Sequence, residues 1–313
     1  MNVLKKPELL VTPKSLSHIK ELIDAGADAF VIGEQKFGLR LAGEFSLEEV
    51  REATEMIHQA GKKVYVSCNA LFHNDRIEAL DEYLQELKKI GPDAILFGDP
   101  AVVMSVREFG IDIPLHWNPE TTATNWFQVN YWGERGAKRT VLARELSLDE
   151  ILEIKENSKY EIEVQVHGMT CIFQSKRKLL GNYFLYRGEV MEVENRKENK
   201  NMFLHDKERN NRYPIYEDMN GTHIFSPNDI CLIDELSEFF EAGIDSLKID
   251  GILQTEEYIT TVTKLYRQAI DAYFDQGEDT YDEIKDDLYE QIRAIQPPLR
   301  PLDTGFIYKE TVY

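Results

Sequence analysis

The sequence predicts an α/β fold, a TIM-like (β/α)8 barrel with a long insertion after its seventh strand. Three observations carry that expectation. Eight short β-branched or aromatic runs alternate with amphipathic stretches, the pattern of a parallel sheet covered by helices. Ala25-Gly26-Ala27-Asp28-Ala29, Ile90-Gly91-Pro92-Asp93-Ala94 and Ala242-Gly243-Ile244-Asp245-Ser246 share one design. In each, a glycine closes a helix in the left-handed conformation and a strand follows at once. No Gly-x-Gly-x-x-Gly follows a strand, which counts against a dinucleotide-binding sheet and leaves a doubly wound open sheet as the alternative.

Taken in order, the strands are expected at 8–11, 29–32, 64–68, 94–97, 114–117, 139–142, 162–166 and 246–249. Helices are expected between them at 15–25, 46–60, 76–90, 100–109 and 147–156, with a last barrel helix at 256–274. Apolar residues recur in these at helical spacing, with Glu and Lys on the opposite face. Ser46-Leu-Glu-Glu and Ser147-Leu-Asp-Glu each read as a capping box, an acceptor at the cap and an acid three residues on. The rhythm breaks between Met169 and Asp229, a stretch rich in Asn, Lys, Arg and Glu. That is too long for a βα loop and reads as an insertion, with short strands expected at 201–204 and 223–225. The expected organisation is a barrel over 1–275, an insertion at 169–228, and an acidic helix with an extended tail over 276–313. The acidic segment 277–287 leads into a short helix, and Gln296-Pro-Pro-Leu-Arg-Pro ends it.

The charge balance excludes one class of function. Fifty-six acidic residues against 36 basic give −20, and such a surface repels polyphosphate, so a stand-alone nucleic-acid grip is not expected. Cys68, Cys171 and Cys231 are too scattered for a disulfide framework. No run has the length of a signal core or a membrane span, which predicts a cytoplasmic chain with no membrane partner.

Ligands gather where parallel strands end. Reading outward from the expected strands gives Glu34, Asn69, Asp99, Asn118, Arg144, His167 and Asp250, a polar pocket with both signs of charge. Arg144 offers a fork for a carboxylate, or a salt bridge with Glu145 at a helix start. His167 is either a general base or a ring held against a backbone carbonyl. Cys171 is expected on a loop beside Lys176, Arg177 and Lys178, whose charges would favour a thiolate. The signatures of cysteine proteases are absent. Cys68 lies within a β run and reads as a buried, inert thiol. Neither a His-x-His nor a His-Glu-x-x-His pair is present for zinc.

Five segments in series support a family resemblance. They are PELLVTPKSLSHIKELIDAGADAFVIGEQKFGLR at 7–40, KVYVSCNALFHND at 63–75, VLARELSLDEI at 141–151, VHGMTC at 166–171, and DICLIDEL with GIDSLKIDG at 229–251. Over nearly its whole length the chain resembles the collagenase-like peptidase family U-32. The resemblance implies a TIM-like barrel and one of two activities. One is the peptidase of the family's historical label. The other is an oxygen-independent, prephenate-dependent hydroxylation of tRNA wobble uridine, ribosomal RNA or the ubiquinone ring, using a 4Fe-4S cluster on four cysteines.

Only Cys171 and Cys231 match those four positions; Lys178 stands where the second is expected, and 187–200 contains no cysteine for the third. The family's Lys-Ile-Glu-Gly-Arg is changed to Lys248-Ile249-Asp250-Gly251-Ile252. The chain is therefore similar to the cysteine-poor first of two adjacent tRNA-hydroxylation proteins of Gram-positive bacteria. That similarity implies no metal held by this chain alone, prephenate as co-substrate, and a paralogous partner that carries the four cysteines and the cluster. It also implies tRNA bound through the complex; for the chain alone, a homodimer is left open. His167, Cys171 and Arg144 are then the catalytic candidates. Glu34, Arg40, Asn69, Asn118, Lys248 and Asp250 are the substrate-binding candidates. A non-catalytic scaffold that stabilises its paralogue is the remaining alternative.

Overall fold

Eight parallel strands close into a barrel, and the computed structural model describes them within residues 4–189 and 202–309. β1 (Glu8–Val11), β2 (Ala29–Ile32), β3 (Lys63–Cys68), β4 (Ala94–Phe97), β5 (Leu115–Trp117), β6 (Ala137–Val141) and β7 (Glu161–Ser175) pair in sequence order. An antiparallel excursion follows, made of β8 (Phe203–Asp206), β9 (Asn211–Asp218) and β10 (Gly221–Cys231). β11 (Ser246–Ile249) then closes the barrel, pairing in parallel with β7 on one side and β1 on the other. A short β12 (Leu302–Asp303) lies parallel to the end of β10.

Helices α1 (Leu16–Asp24), α2 (Leu47–Gln59), α3 (Ile77–Ile90), α4 (Pro100–Glu108), α5 (Trp126–Gly133) and α6 (Leu148–Asn157) follow the first six strands. α7 (Leu179–Tyr186) belongs to the excursion, and α8 (Leu236–Ala242), α9 (Glu256–Asp271) and α10 (Glu278–Ile295) complete the outer layer. Both capping boxes form: the Ser46 and Ser147 hydroxyls accept from the amides of Glu49 and Glu150, whose carboxylates reach back to the cap amides. Gly91 and Gly243 take the left-handed conformation at the ends of α3 and α8.

The main apolar core lies between barrel and helices, with Val11, Val66, Phe97, Val164 and Ile249 facing Ile19, Leu84, Ile154 and Tyr266. A smaller cluster of Leu10, Ala29, Val31, Tyr65, Ala94 and Leu96 fills the barrel interior. Beneath it the lower end is polar. Arg139, 3% exposed, is held by Glu8 at 2.6 Å and Glu161 at 2.8 Å.

Three expectations need correcting. β7 does not stop at Val166; it runs to Ser175, because its second half pairs antiparallel with β10. Cys171 therefore sits in a strand and not in a loop. The acidic segment after Gly277 is itself helical, the first half of the 18-residue α10. Its Leu288 and Ile292 are buried, so an apolar stripe holds the acidic helix down. α5 was not foreseen because Trp126-Phe-Gln-Val-Asn-Tyr-Trp is apolar almost all round and shows little helical period. Residue 201, the start of one strand expected in the insertion, lies outside the described residues; the strand found there is β8.

Candidate functional site

A cleft opens at the C-terminal ends of the barrel strands, with an empty volume of about 480 Å³ including its mouth. Its polar lining comes from the last residues of the strands and from the loops that follow them. β3 contributes Ser67 and is followed by Asn69, β5 is followed by Asn118, β6 leads to Arg144, and β11 contributes Lys248 and is followed by Asp250. Arg40 comes from the β2–α2 loop, where its φ is +50°.

The centre of the cleft is Glu120, two residues beyond Asn118 and in the left-handed region at φ +68°. The Asn118 side-chain oxygen accepts from the Glu120 amide at 3.2 Å and fixes that turn. One Glu120 oxygen takes Arg40 at 2.6 Å and Arg144 at 3.0 Å; the other accepts from Asn69 Nδ2 at 2.8 Å. Burial alone would favour the neutral acid, but Arg40, Arg144 and Lys248 outweigh it and hold the carboxyl well below the usual carboxylate range.

Further contacts lock the cations. Arg144 Nε donates to Gln165 at 2.6 Å, and Gln165 in turn donates to the Met169 carbonyl at 3.0 Å. Arg40 donates to Gln174 at 2.8 Å, and Lys248 pairs with Asp250 at 3.1 Å. Three cations thus face two carboxylates, Glu120 and Asp250. The net positive charge, and two guanidiniums converging on one carboxylate oxygen, suit an anionic ligand bearing a carboxyl group.

The expected site residues divide cleanly. Arg40, Asn69, Asn118, Arg144, Lys248, Asp250 and Cys171 all line the cleft. Glu34 does not; it packs toward the start of α2, where its carboxyl accepts from the Leu47 amide and burial raises its pKa. Asp99 is the cap of α4, accepting from Ala101 and from Phe72.

His167 lies behind the barrel wall. A bulge in the β7–β11 register after Lys248 puts Val166 and His167 on the same outer face, since a bulge reverses the alternation. His167 is fully buried beside Tyr258 and Tyr266. Its Nε2 is 2.8 Å from the Tyr258 hydroxyl, which donates onward to Gln296. Burial, with Arg300 nearby, lowers its pKa to about 3, so the ring is neutral. It is a structural histidine, the second of the two readings in kind, with a tyrosine hydroxyl in place of a carbonyl.

Cys171 is also corrected in its chemistry. It is buried among Met169, Tyr216, Phe225 and Ile252, and burial raises its thiol against the pull of Arg40 and Arg144. The thiol donates to the Phe173 carbonyl at 3.3 Å. Cys231 faces the other way, toward Tyr266 in the helix-side core, and burial pushes it up to about 12. The two thiols lie on opposite faces of one sheet and do not converge on a cluster. Among the described residues no group of three or more His, Cys, Asp or Glu side chains is placed to hold a metal ion.

Sequence reasoning missed Glu120 and Gln165. Glu120 was two residues past a named strand end, and Gln165 lay inside an expected strand whose inward positions, Glu163 and Gln165, are both polar. Polar residues at alternate positions of a barrel strand were the available signal.

Residues 14–312 match the family described as Peptidase family U32. The chain is 60% identical over 310 residues to the tRNA hydroxylation protein P2 of Bacillus subtilis, covering 99% of this chain and all of that one. It is 35% identical to the tRNA hydroxylation protein P1 of the same organism, over 87% of this chain but only 64% of that longer protein. The 23S rRNA 5-hydroxycytidine C2501 synthase of Escherichia coli is 28% identical over 86% of this chain and 40% of its own length. Among solved structures, the U32 peptidase Mk0906 superposes with a TM-score of 0.51 at 14% identity, covering 78% of this chain and 92% of that one. That likeness concerns the fold alone. No helix among the described residues is long and apolar enough to cross a membrane.

Proposed function

The chain belongs to peptidase family U32, and on that premise we propose that it is a cytoplasmic subunit of a tRNA wobble-uridine 5-hydroxylation system. The observation that carries this reading is end-to-end similarity to a tRNA hydroxylation protein, 60% identity over 99% of the chain. A second such protein in the same organism supports a paralogous partner. The cleft supports the co-substrate half of the proposal: two buried guanidiniums that already meet at one carboxylate suit a carboxylate-bearing molecule such as prephenate. The cluster is assigned to the partner, because the thiols of this chain do not meet.

The peptidase reading lacks its dyad. The His167 ring is on the outer face of β7 and Cys171 on the inner, and Cys171 is a raised thiol and not a thiolate. The experiment is mass spectrometry of wobble nucleosides from a strain lacking this gene and any redundant pathway. Complementation should restore 5-hydroxyuridine derivatives with the wild-type gene and not with Arg144→Ala. Unchanged nucleosides in the deletion would sink the proposal. Restoration by Arg144→Ala, with the partner still co-purifying, would make the chain a scaffold.

A further inference from the structure

We infer that α7 and the end of β7 form a platform for single-stranded RNA beside the cleft, with Tyr183 and Tyr186 stacking on bases and Lys176, Arg177 and Arg187 meeting phosphates. The inference rests on the tRNA reading above and names the surface that would hold the RNA.

The first observation is local charge. In a chain with 56 acidic residues among 313, none stands between Glu163 and Glu189, whereas Lys176, Arg177, Lys178 and Arg187 all do. Two acids touch the segment, Glu189 at 3.4 Å from the Arg187 guanidinium and the buried Glu217 at the start of α7; at cellular salt the Debye length is about 8 Å, so acids farther off are screened from it. The overall charge of −20 therefore does not cancel a local basic patch.

The second is aromatic exposure. Tyr186 is 91% exposed, Leu185 63% and Tyr183 52%, and Ile172 and Phe173 on the adjoining strand are also open. Apolar surface gathered this densely marks a binding site. Its cations decide the occupant. Lysine is depleted at protein–protein interfaces, whereas aromatics interleaved with Lys and Arg are the means by which proteins hold unpaired bases. The Arg187 guanidinium lies 5.9 Å from the Tyr183 ring centre and donates to its hydroxyl at 3.2 Å, which keeps a cation beside the ring.

The third is position. β7 runs from cleft-lining Cys171 to Ser175 and Lys176 follows it, five residues from Cys171, a span of roughly 17 Å at about 3.3 Å per residue. A nucleotide turned into the cleft would have its neighbours over this strand and helix. The start of α7 is already capped, since the Glu217 carboxylate accepts from the amides of Leu180 and Gly181. The phosphate contacts thus fall to side chains and not to helix amides.

The test uses the full chain, alone and co-expressed with its paralogue, and a fluorescein-labelled anticodon stem–loop RNA with uridine at the wobble position. Tyr183→Ala with Tyr186→Ala should weaken binding at least tenfold, the scale of losing stacked bases. Lys176→Ala with Arg177→Ala should lower the slope of log affinity against log salt by about 1.4, near 0.7 for each lost contact to a single strand. All four residues are exposed, so unchanged thermal unfolding is expected and checks the fold. Equal binding and equal salt slopes in wild type and variants overturn the inference, as does absence of RNA binding by both wild-type preparations. Release of the paralogue with RNA affinity unchanged also overturns it, and makes the surface a protein interface. Wobble nucleosides report separately: if the deletion strain keeps them while the variants lose RNA affinity, the tRNA-hydroxylation reading fails and the platform stands.

Discussion

Glu120 meets Arg40, Arg144 and Asn69 at once, and its own backbone is held in a left-handed turn by Asn118. A carboxylate so placed neutralises two buried guanidiniums at once. Glu120→Gln removes the charge and leaves both arginines uncompensated, which should destabilise the fold by about 3 kcal/mol at neutral pH. The pH dependence has a definite sign. The folded-state pKa lies below the ordinary 4.5, so this stabilisation is fully present above pH 4.5 and is lost as the pH falls toward the folded value. Urea titrations should therefore show a wild-type advantage at pH 7 that narrows below about pH 4.5, the ordinary carboxyl pKa. An advantage that stays constant to acid would mean that the carboxylate contributes nothing through its charge.

At the scale of elements, β7 organises the site. Its first half is a barrel strand, its bulge turns His167 outward, and its second half carries Cys171 into the cleft and Gln174 onto Arg40. Gly168 makes the change of direction possible. Its φ is +107°, and a Cβ there would stand 2.3 Å from the Asp250 carbonyl oxygen. Gly168→Ala should cost at least about 2 kcal/mol through strain and this clash, and should also disturb the Lys248–Asp250 side of the cleft. Chemical denaturation compared with Gly61→Ala checks it, since Gly61 also has positive φ but nothing within 4 Å of a Cβ. Equal losses at the two sites would show that the clash has no role.

β7 also marks how far the sequence could be read. The barrel, its caps and most cleft residues were legible because hydrophobic period and capping are local. The continuation past Val166 was not, because its pairing partner β10 lies 47 to 64 residues away in the chain, from Ser175 with Thr222 to His167 with Cys231. For the same reason the histidine's face was hidden: a one-residue bulge is set by β11, a distant strand. Glu120 escaped notice because its importance depends on three donors from three different loops and strands.

For the whole molecule, the question is where iron would reside in an assembly of two family members. A 4Fe-4S cluster takes four thiolates. This chain has Cys68 in the core on β3, Cys171 in the cleft and Cys231 against the helix layer, each raised by burial. Bringing any two together would require opening the barrel wall or the main core. The chain purified anaerobically without its paralogue should therefore hold close to no iron or acid-labile sulfide. Co-expression with the paralogue should yield a complex that contains both, and the iron should follow the paralogue when the chains are separated. Cys171→Ser combined with Cys231→Ser should leave the iron content of the complex unchanged. A drop in iron for that variant, with the complex intact, would place ligands in this chain and require a rearranged β7–β10 pair, because only a shift of those strands could turn both sulfurs to one face.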